Sequence, residues 1–206
     1  MDPFPTPAQL DAFYASYVGT PGYMAKAGKK IRRSKKRIRR LLKMTPGRTF
    51  LDVGCNCGFA VVAAAELGLK AHGIDIDAAA IEICKARFGD KGTFAAVSVE
   101  QYAASGAKAD IVYTSEVIEH VPDPNKFTAA LAEVLAPGGI LYLTTPDSGH
   151  FSLSSDFTSW RAVNPPEHIV YFTRDGMHRL LARHGFCDIR FRFSFKPGMS
   201  VTARRA

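Results

Sequence analysis

The sequence predicts an α/β fold built on a largely parallel sheet, on three observations. Short apolar runs alternate with helical patterns from residue 49 to residue 145. The loop Gly54-Cys55-Asn56-Cys57-Gly58 joins the first of those runs directly to an Ala-rich helix. Near the C-terminus Ile189, Phe191, Phe193 and Phe195 alternate strictly with polar residues before a turn at Pro197-Gly198. Alternating strands and helices imply right-handed crossovers and a sheet covered on both faces. A closing hairpin joins such a sheet only at an edge or by inserting one antiparallel strand.

The periodicities predict strands over 49–53, 70–75, 93–97, 110–115 and 140–145, with helices over 59–67, 78–87, 100–105 and 124–135 between them. After an irregular stretch over 146–172, Thr173 caps a helix over 173–184. A half-buried strand over 189–196 and a last strand over 200–203 complete the sheet. Ahead of these, Thr6-Pro7 offers an N-cap and a first-turn proline to a short helix carrying Leu10, Phe13, Tyr14, Tyr17 and Val18. Thr45-Pro46-Gly47 is the break that divides an N-terminal helical lid, residues 1–44, from a ligand-binding domain, residues 45–206.

Composition narrows the classes. At 206 residues, 47% hydrophobic and 22% charged, the chain is too long for a disulfide-stapled miniprotein and too apolar for a disordered one. Its longest uncharged apolar run, 59–65, falls far short of the ~20 residues of a membrane span. Asp2 and three early prolines stand where an export signal carries basic and then apolar residues, so the expectation is a cytoplasmic protein. The four cysteines form no CxxC pair and are expected as free thiols. The net charge of +8 is concentrated: eleven basic and no acidic residues lie between Lys26 and Lys43, leaving 16 basic against 19 acidic elsewhere. Ile31, Ile38, Leu41 and Leu42 give that stretch one apolar stripe, the pattern of a basic amphipathic helix. A solvated face, a nucleic-acid or anionic-polymer patch, and a dock for acidic lipid headgroups are all compatible with it.

Two constellations carry chemistry. Glycines at 54 and 58 allow a tight turn, and the helix that follows offers unpaired N–H groups to a ligand. Asp75 ends the second strand 17 residues beyond Gly58, near the spacing at which an acid accepts from ribose hydroxyls. The pattern G-x-N-x-G lacks the third glycine of a dinucleotide loop, which disfavours NAD. The second constellation is Glu116, Glu119 and His120, at i, i+3 and i+4, so that a helical turn brings all three to one face at the carboxyl end of the fourth strand. Two carboxylates and an imidazole repel unless a positive charge neutralises them, which a divalent cation does, with His168 as a fourth ligand. Without a metal, His120 or His168 is the general-base candidate. The competing reading is that Glu119 and His120 only order the loop that follows.

The segments LDVGCNCG (51–58), GIDID (73–77), SEVIEHVPDP (115–124) and LAPGGILYLTTP (135–146) resemble, in order, the motifs of class I S-adenosylmethionine-dependent methyltransferases, over residues 49–195. Asn56 stands where many members carry a middle glycine. The resemblance implies a Rossmann-like, doubly wound sheet of seven strands in the order 3-2-1-4-5-7-6, with strand 7 antiparallel, and S-adenosylmethionine as cofactor. It places Gly54 and Asn56 along the methionine part with Asp52 beneath, and counts Cys55 and Gly58 of the same loop among the cofactor-binding residues. Asp75 takes the ribose, Ile76 the adenine face, and Ser98 and Val99 the adenine edge, with Glu100 nearest the amino group.

The E-x-x-E-H-V-P-D-P segment is similar to that of polyprenyl-dihydroxybenzoate O-methyltransferases. Small-RNA 3′-terminal 2′-O-methyltransferases share the E-x-x-E-H and a later histidine followed by an aromatic and Thr-Arg. Both act on vicinal diols, which a metal chelates. The expected function is therefore O-methylation of a small hydroxylated or vicinal-diol substrate, with Mg or Mn on Glu116, Glu119, His120 and His168. An RNA methyltransferase recruited by the basic helix, and a cofactor-binding module without catalysis, are the alternatives. The aromatics Phe13, Tyr14, Tyr17 and Tyr23 fit a lid over the cofactor, with Arg33 or Arg37 meeting its carboxylate.

Overall fold

A computed structural model describes residues 24–154 and 156–205. The elements run α1 (Ala27–Leu41), β1 (Thr49–Val53), α2 (Phe59–Ala65), β2 (Lys70–Asp75), α3 (Ala78–Phe88), β3 (Thr93–Ala96), α4 (Val99–Ala104), β4 (Ala109–Ser115), α5 (Pro124–Val134), β5 (Leu135–Pro146), α6 (Arg174–Arg183), β6 (Phe186–Phe191) and β7 (Gly198–Arg205). The sheet order is β3-β2-β1-β4-β5-β7-β6. Strands β1 to β5 pair in parallel, and β7 inserts antiparallel to both β5 and β6. This is the doubly wound α/β architecture the alternation calls for, with the hairpin taking the inserted-strand solution.

Two apolar layers follow from the period of two along each strand. Phe50, Ile111, Tyr113, Ile140 and Tyr142 face one side, where Ile38 and Leu41 of α1 pack with the alanines and valine of α2 and with Ile81 of α3. Leu51, Val53, Val112, Leu141 and Leu143 face the other, under α5 and α6. The apolar stripe predicted for the basic helix is thus part of the core, and α1 buries Ser34, Ile38 and Leu41, while Arg32, Arg33, Lys36, Arg39 and Arg40 are exposed. The lid aromatics Phe13, Tyr14, Tyr17 and Tyr23 lie outside the described residues.

The structure corrects the sequence reading most at the C-terminal hairpin. The strand expected over 189–196 begins earlier, at Phe186, and ends at Phe191. A register shift between Cys187 and Arg190, with Asp188 in the left-handed region at φ 51°, breaks the alternation. Beyond it Ser194 Oγ accepts from the Lys196 amide, a local turn that leaves Phe193 and Phe195 63% and 81% exposed instead of half-buried. Strand β5 also starts five residues before the predicted strand, because Leu135 pairs with Ala109 across a second irregularity. Helix α4 begins one residue early, where Ser98 and Gln101 form a capping box.

Candidate active site

Backbone conformation builds the glycine loop. Gly54, Asn56 and Gly58 have φ of 74°, 46° and 71°. The amides of Gly54 and Cys55 donate to the Ile74 carbonyl, that of Asn56 to Asp75 Oδ2, that of Cys57 to Asn56 Oδ1 and that of Gly58 to the Cys55 carbonyl. The five loop amides are therefore engaged within the protein, while the expectation of ligand donors concerned the first turn of α2, where the Val62 amide donates to the Gly58 carbonyl. Gly54 lacks a Cβ for a reason the sequence did not suggest: one there would stand 2.4 Å from Val117 Cγ2, so the close neighbour is the turn after β4.

Around the loop, Asp75 holds the Asn56 and Asp77 amides at 2.8 and 3.0 Å, and burial raises its carboxyl above the usual range. Asp52 beneath is almost fully buried, and desolvation followed by the Asp75 charge pushes it well up. Cys55 turns its thiol into the core, where a Cβ at Gly73 would lie 2.9 Å from the sulfur, so only its backbone reaches the loop surface. Ile76 is 69% exposed beside Asp75. Ser98 spends its hydroxyl on the Gln101 amide, and Val99 is buried in the core beneath it. Glu100 is exposed in the first turn of α4.

The E-x-x-E-H segment is not one helical turn. Glu116 adopts φ 59°, and the helical part is a single 3-10 turn, Ile118–His120. Glu119, His120 and His168 do converge: one donor atom from each lies within 4.8 Å of the others. His168 arrives because the amides of Ile169 and Val170 both donate to the Glu119 carbonyl, which stitches the 146–172 stretch to the turn. The two imidazoles meet edge to face at 4.7 Å. Each Nδ1 lies 2.8 Å from a backbone carbonyl, Glu167 for His120 and Ala162 for His168, so Nδ1 carries the proton and Nε2 is the acceptor nitrogen. Glu116 stands outside the trio, accepting from Thr144 Oγ1 at 2.8 Å, yet near enough to act on Glu119 electrostatically.

Glu119 is the extreme group of the site. It is 1% exposed, its Oε2 accepts from Thr145 Oγ1, and its Oε1 has no hydrogen-bond partner among the described residues. Burial, then the Glu116 charge, pushes it up to about 8. Burial pulls His120 down to about 4, so that its ring is neutral at pH 7. A carboxyl whose ionisation near neutral pH is disfavoured by burial, facing two oriented imidazole acceptors, suits a divalent cation of the Mg, Mn or Zn kind. The sequence reading missed Thr144 and Thr145, which donate to Glu116 and Glu119, and Ser115, which pairs with Thr144; the polar Thr-Thr pair ending an otherwise apolar β5 was the available signal.

A methyltransferase-domain family model matches residues 25–190. The chain belongs to the class I S-adenosylmethionine-dependent methyltransferase family. It is 38% identical over 112 residues to a ubiquinone biosynthesis O-methyltransferase of Bordetella avium, a match spanning 52% of this chain and 46% of that protein. It is 36% identical over 103 residues to the corresponding enzyme of Thiobacillus denitrificans, spanning 48% and 44%. The methyltransferase thus matches about half the length of these curated relatives. Among solved structures it is similar to phosphoethanolamine N-methyltransferase 2 of Haemonchus contortus, at TM-score 0.71 and 18% identity over 84% of this chain and 52% of that one. A methyltransferase of Archaeoglobus fulgidus superposes at TM-score 0.68 and 17% identity, covering 90% of this chain and all of the other. These two likenesses establish the fold. Among the described residues, no helix is long and apolar enough to cross a membrane.

Proposed function

We propose that this methyltransferase moves the methyl group of S-adenosylmethionine to one hydroxyl of a vicinal diol, beside a divalent cation held by Glu119, His120 and His168. One observation carries the reading: a buried carboxylate with an unpartnered oxygen faces two imidazoles whose Nδ1 protons are committed to backbone carbonyls. The identity to ubiquinone O-methyltransferases over half the chain supports oxygen as the acceptor atom. Bound S-adenosylmethionine supplies an electrophilic sulfonium methyl. Mg or Mn in the trio would supply the charge that makes a chelated hydroxyl more acidic.

The chain's own residues then do four things. Asp75 keeps its oxygens fixed on two backbone amides and offers the remaining lone pairs to the ribose hydroxyls. Ile76, an exposed aliphatic side chain next to it, gives the adenine an apolar face. Glu119, with Nε2 of His120 and of His168, would hold the cation beside the acceptor hydroxyl, and Glu116, the carboxylate outside the trio, takes the hydroxyl proton. The buried setting keeps bulk water from the trio and holds the acceptor oxygen in line with the methyl. Residues 1–44 are proposed to close over this site, and truncation of residues 1–23 is then expected to weaken S-adenosylhomocysteine binding in calorimetry.

The test is labelled methyl transfer from S-adenosylmethionine to catechol, with resorcinol as the non-chelating isomer. Transfer to catechol that stops on exhaustive chelation and returns with Mg or Mn is the expected result. Equal transfer to resorcinol, or transfer indifferent to chelation, overturns the metal-assisted diol reading.

A further inference from the structure

The charge concentrated on α1 faces a cleft. The cations at 33, 36, 37 and 40 occupy one face of the helix at i, i+3, i+4 and i+7. They line a cavity of about 400 Å³ with Arg192 and Lys196, which approach from the connection between β6 and β7 on the other side. Against these six cations the wall carries a single carboxylate, Glu116. Among the described residues none of the six has a carboxylate oxygen within 4.0 Å, whereas Lys35 on another face of the helix is paired with Glu66.

Arg37 is the fixed member. Half-buried, it donates from Nη1 to the Tyr113 hydroxyl at 2.8 Å and to Ser115 Oγ at 3.4 Å, and lies 5.6 Å over the Tyr142 ring. Its hydrogen-bond partners are neutral and Glu116 acts on it only through space, so a partly desolvated guanidinium is oriented without an ion-pair partner, an arrangement that a bound anion improves. From Arg37 a polar chain leads to the reacting site: Ser115 Oγ lies 2.7 Å from Thr144 Oγ1, which donates to Glu116 Oε1 at 2.8 Å, next to Glu119.

We propose that this cleft anchors a phosphate or pyrophosphate group carried by a small methyl acceptor, whose hydroxyl then reaches Glu119, His120 and His168. The assignment rests on the methyl-transfer reading above and adds the acceptor's chemical class to it. Six cations exceed what one carboxylate needs and match the several oxygens of a phosphate or diphosphate, which guanidinium forks bind in pairs. The cations stand on two facing walls of a half-open cleft of the size small-molecule sites have, instead of forming a single flat stripe, which favours a small acceptor over a polymer. Phe193, exposed on the cleft wall with its ring 6.4 Å from that of Phe151, offers an aromatic surface to the rest of the molecule.

The experiment is calorimetric titration of pyrophosphate into the full chain, with and without saturating S-adenosylhomocysteine. Two double variants are compared: Lys36→Glu with Arg40→Glu inside the cleft, and Arg32→Glu with Arg39→Glu outside it, which change net charge equally. The expected result is pyrophosphate binding that persists with S-adenosylhomocysteine present, weakens at least tenfold in the cleft variant and changes less than twofold in the outer one. S-adenosylhomocysteine affinity is expected to be the same in all three proteins. Equal loss in both variants makes the helix a general cationic face and overturns the proposal. Competition between pyrophosphate and S-adenosylhomocysteine gives the cleft to the cofactor's carboxylate and overturns it too. Tighter binding of a single-stranded RNA or of phosphatidylglycerol vesicles than of pyrophosphate, equally weakened in both variants, replaces the small acceptor by a polymer or a surface. If S-adenosylhomocysteine binds none of the proteins, the methyltransferase reading fails; if it binds all of them and pyrophosphate binds none, only the anchor fails.

Discussion

The two halves of the site are built by different means. Over β1, β2 and the glycine loop, main-chain geometry does the shaping: three residues with positive φ, five loop amides bonded internally, and one acid fixed by two of the amides near it. Over β4, β5 and β7, side chains do it: a buried carboxylate, two oriented imidazoles, two threonines and a half-circle of cations from opposite elements. The first half suits a ligand that is always the same, because a backbone cradle has little to vary. The second suits an acceptor that differs among relatives, because its groups change one residue at a time.

That division is open to attack by substitutions that should move one half's measurement and leave the other's alone. The largest effect belongs to the acceptor half. Glu119→Ala and His168→Ala are expected to lower kcat by about 10²-fold or more, while the Kd of S-adenosylhomocysteine stays within about twofold. Loss of cofactor affinity in either variant would join the halves into one unit. Next is the mirror experiment: Asp75→Ala removes charge-assisted hydrogen bonds of about 1.5–3 kcal/mol and should raise the S-adenosylhomocysteine Kd by about 10–100-fold, with the metal requirement unchanged.

A third measurement concerns stability. Glu119, raised to about 8 from 4.5, contributes stability that is complete at pH 4.5 and is lost as pH rises through 8. His120, lowered to about 4 from 6.5, contributes stability that is complete above pH 6.5 and is lost as pH falls toward 4. Mn at about 100 times its Kd should therefore stabilise the protein by about 2.7 kcal/mol at pH 8, or about 5–10 °C in Tm. At pH 5, where Glu119 is protonated, the gain should vanish, as it should at any pH in Glu119→Gln. A Tm indifferent to Mn at pH 8 would remove the cation from the acceptor half. The smallest effect sharpens the boundary of the cofactor half: Ser98→Ala should cost about 1 kcal/mol in denaturant unfolding by loss of the α4 cap. If it also weakens S-adenosylhomocysteine binding more than twofold, the hydroxyl serves the adenine as well as the helix.

The same contrast explains what could be read in the amino-acid sequence. Strand period, the loop glycines and Asp75 are local signals, each confined to a few consecutive residues, and the sheet order follows once they are aligned with family motifs. The trio was legible as residue types, since Glu119 and His120 adjoin and His168 carries a distinctive environment. Its geometry was not: Glu116 leaves the turn through a positive φ, and the amides that bring His168 home belong to Ile169 and Val170. The cleft was hidden for a stronger reason, because its two walls are some 150 residues apart in the chain and meet only when β7 slots beside β5. At the hairpin, one left-handed residue, Asp188, was enough to undo a period-two pattern that looked secure.

The missing Cβ of Gly54 has a consequence for how this sequence can drift over generations. The space it vacates is filled by Val117, the residue between Glu116 and the 3-10 turn, so positions 54 and 117 share one volume across the cleft between the two halves. A lineage that gains a side chain at 54 must shrink 117 in the same step or tilt the turn that carries both glutamates. Residues 54 and 117 should accordingly behave as an inherited pair, changing together or not at all, and an alanine at 54 combined with glycine at 117 should recover part of the activity that the alanine alone removes.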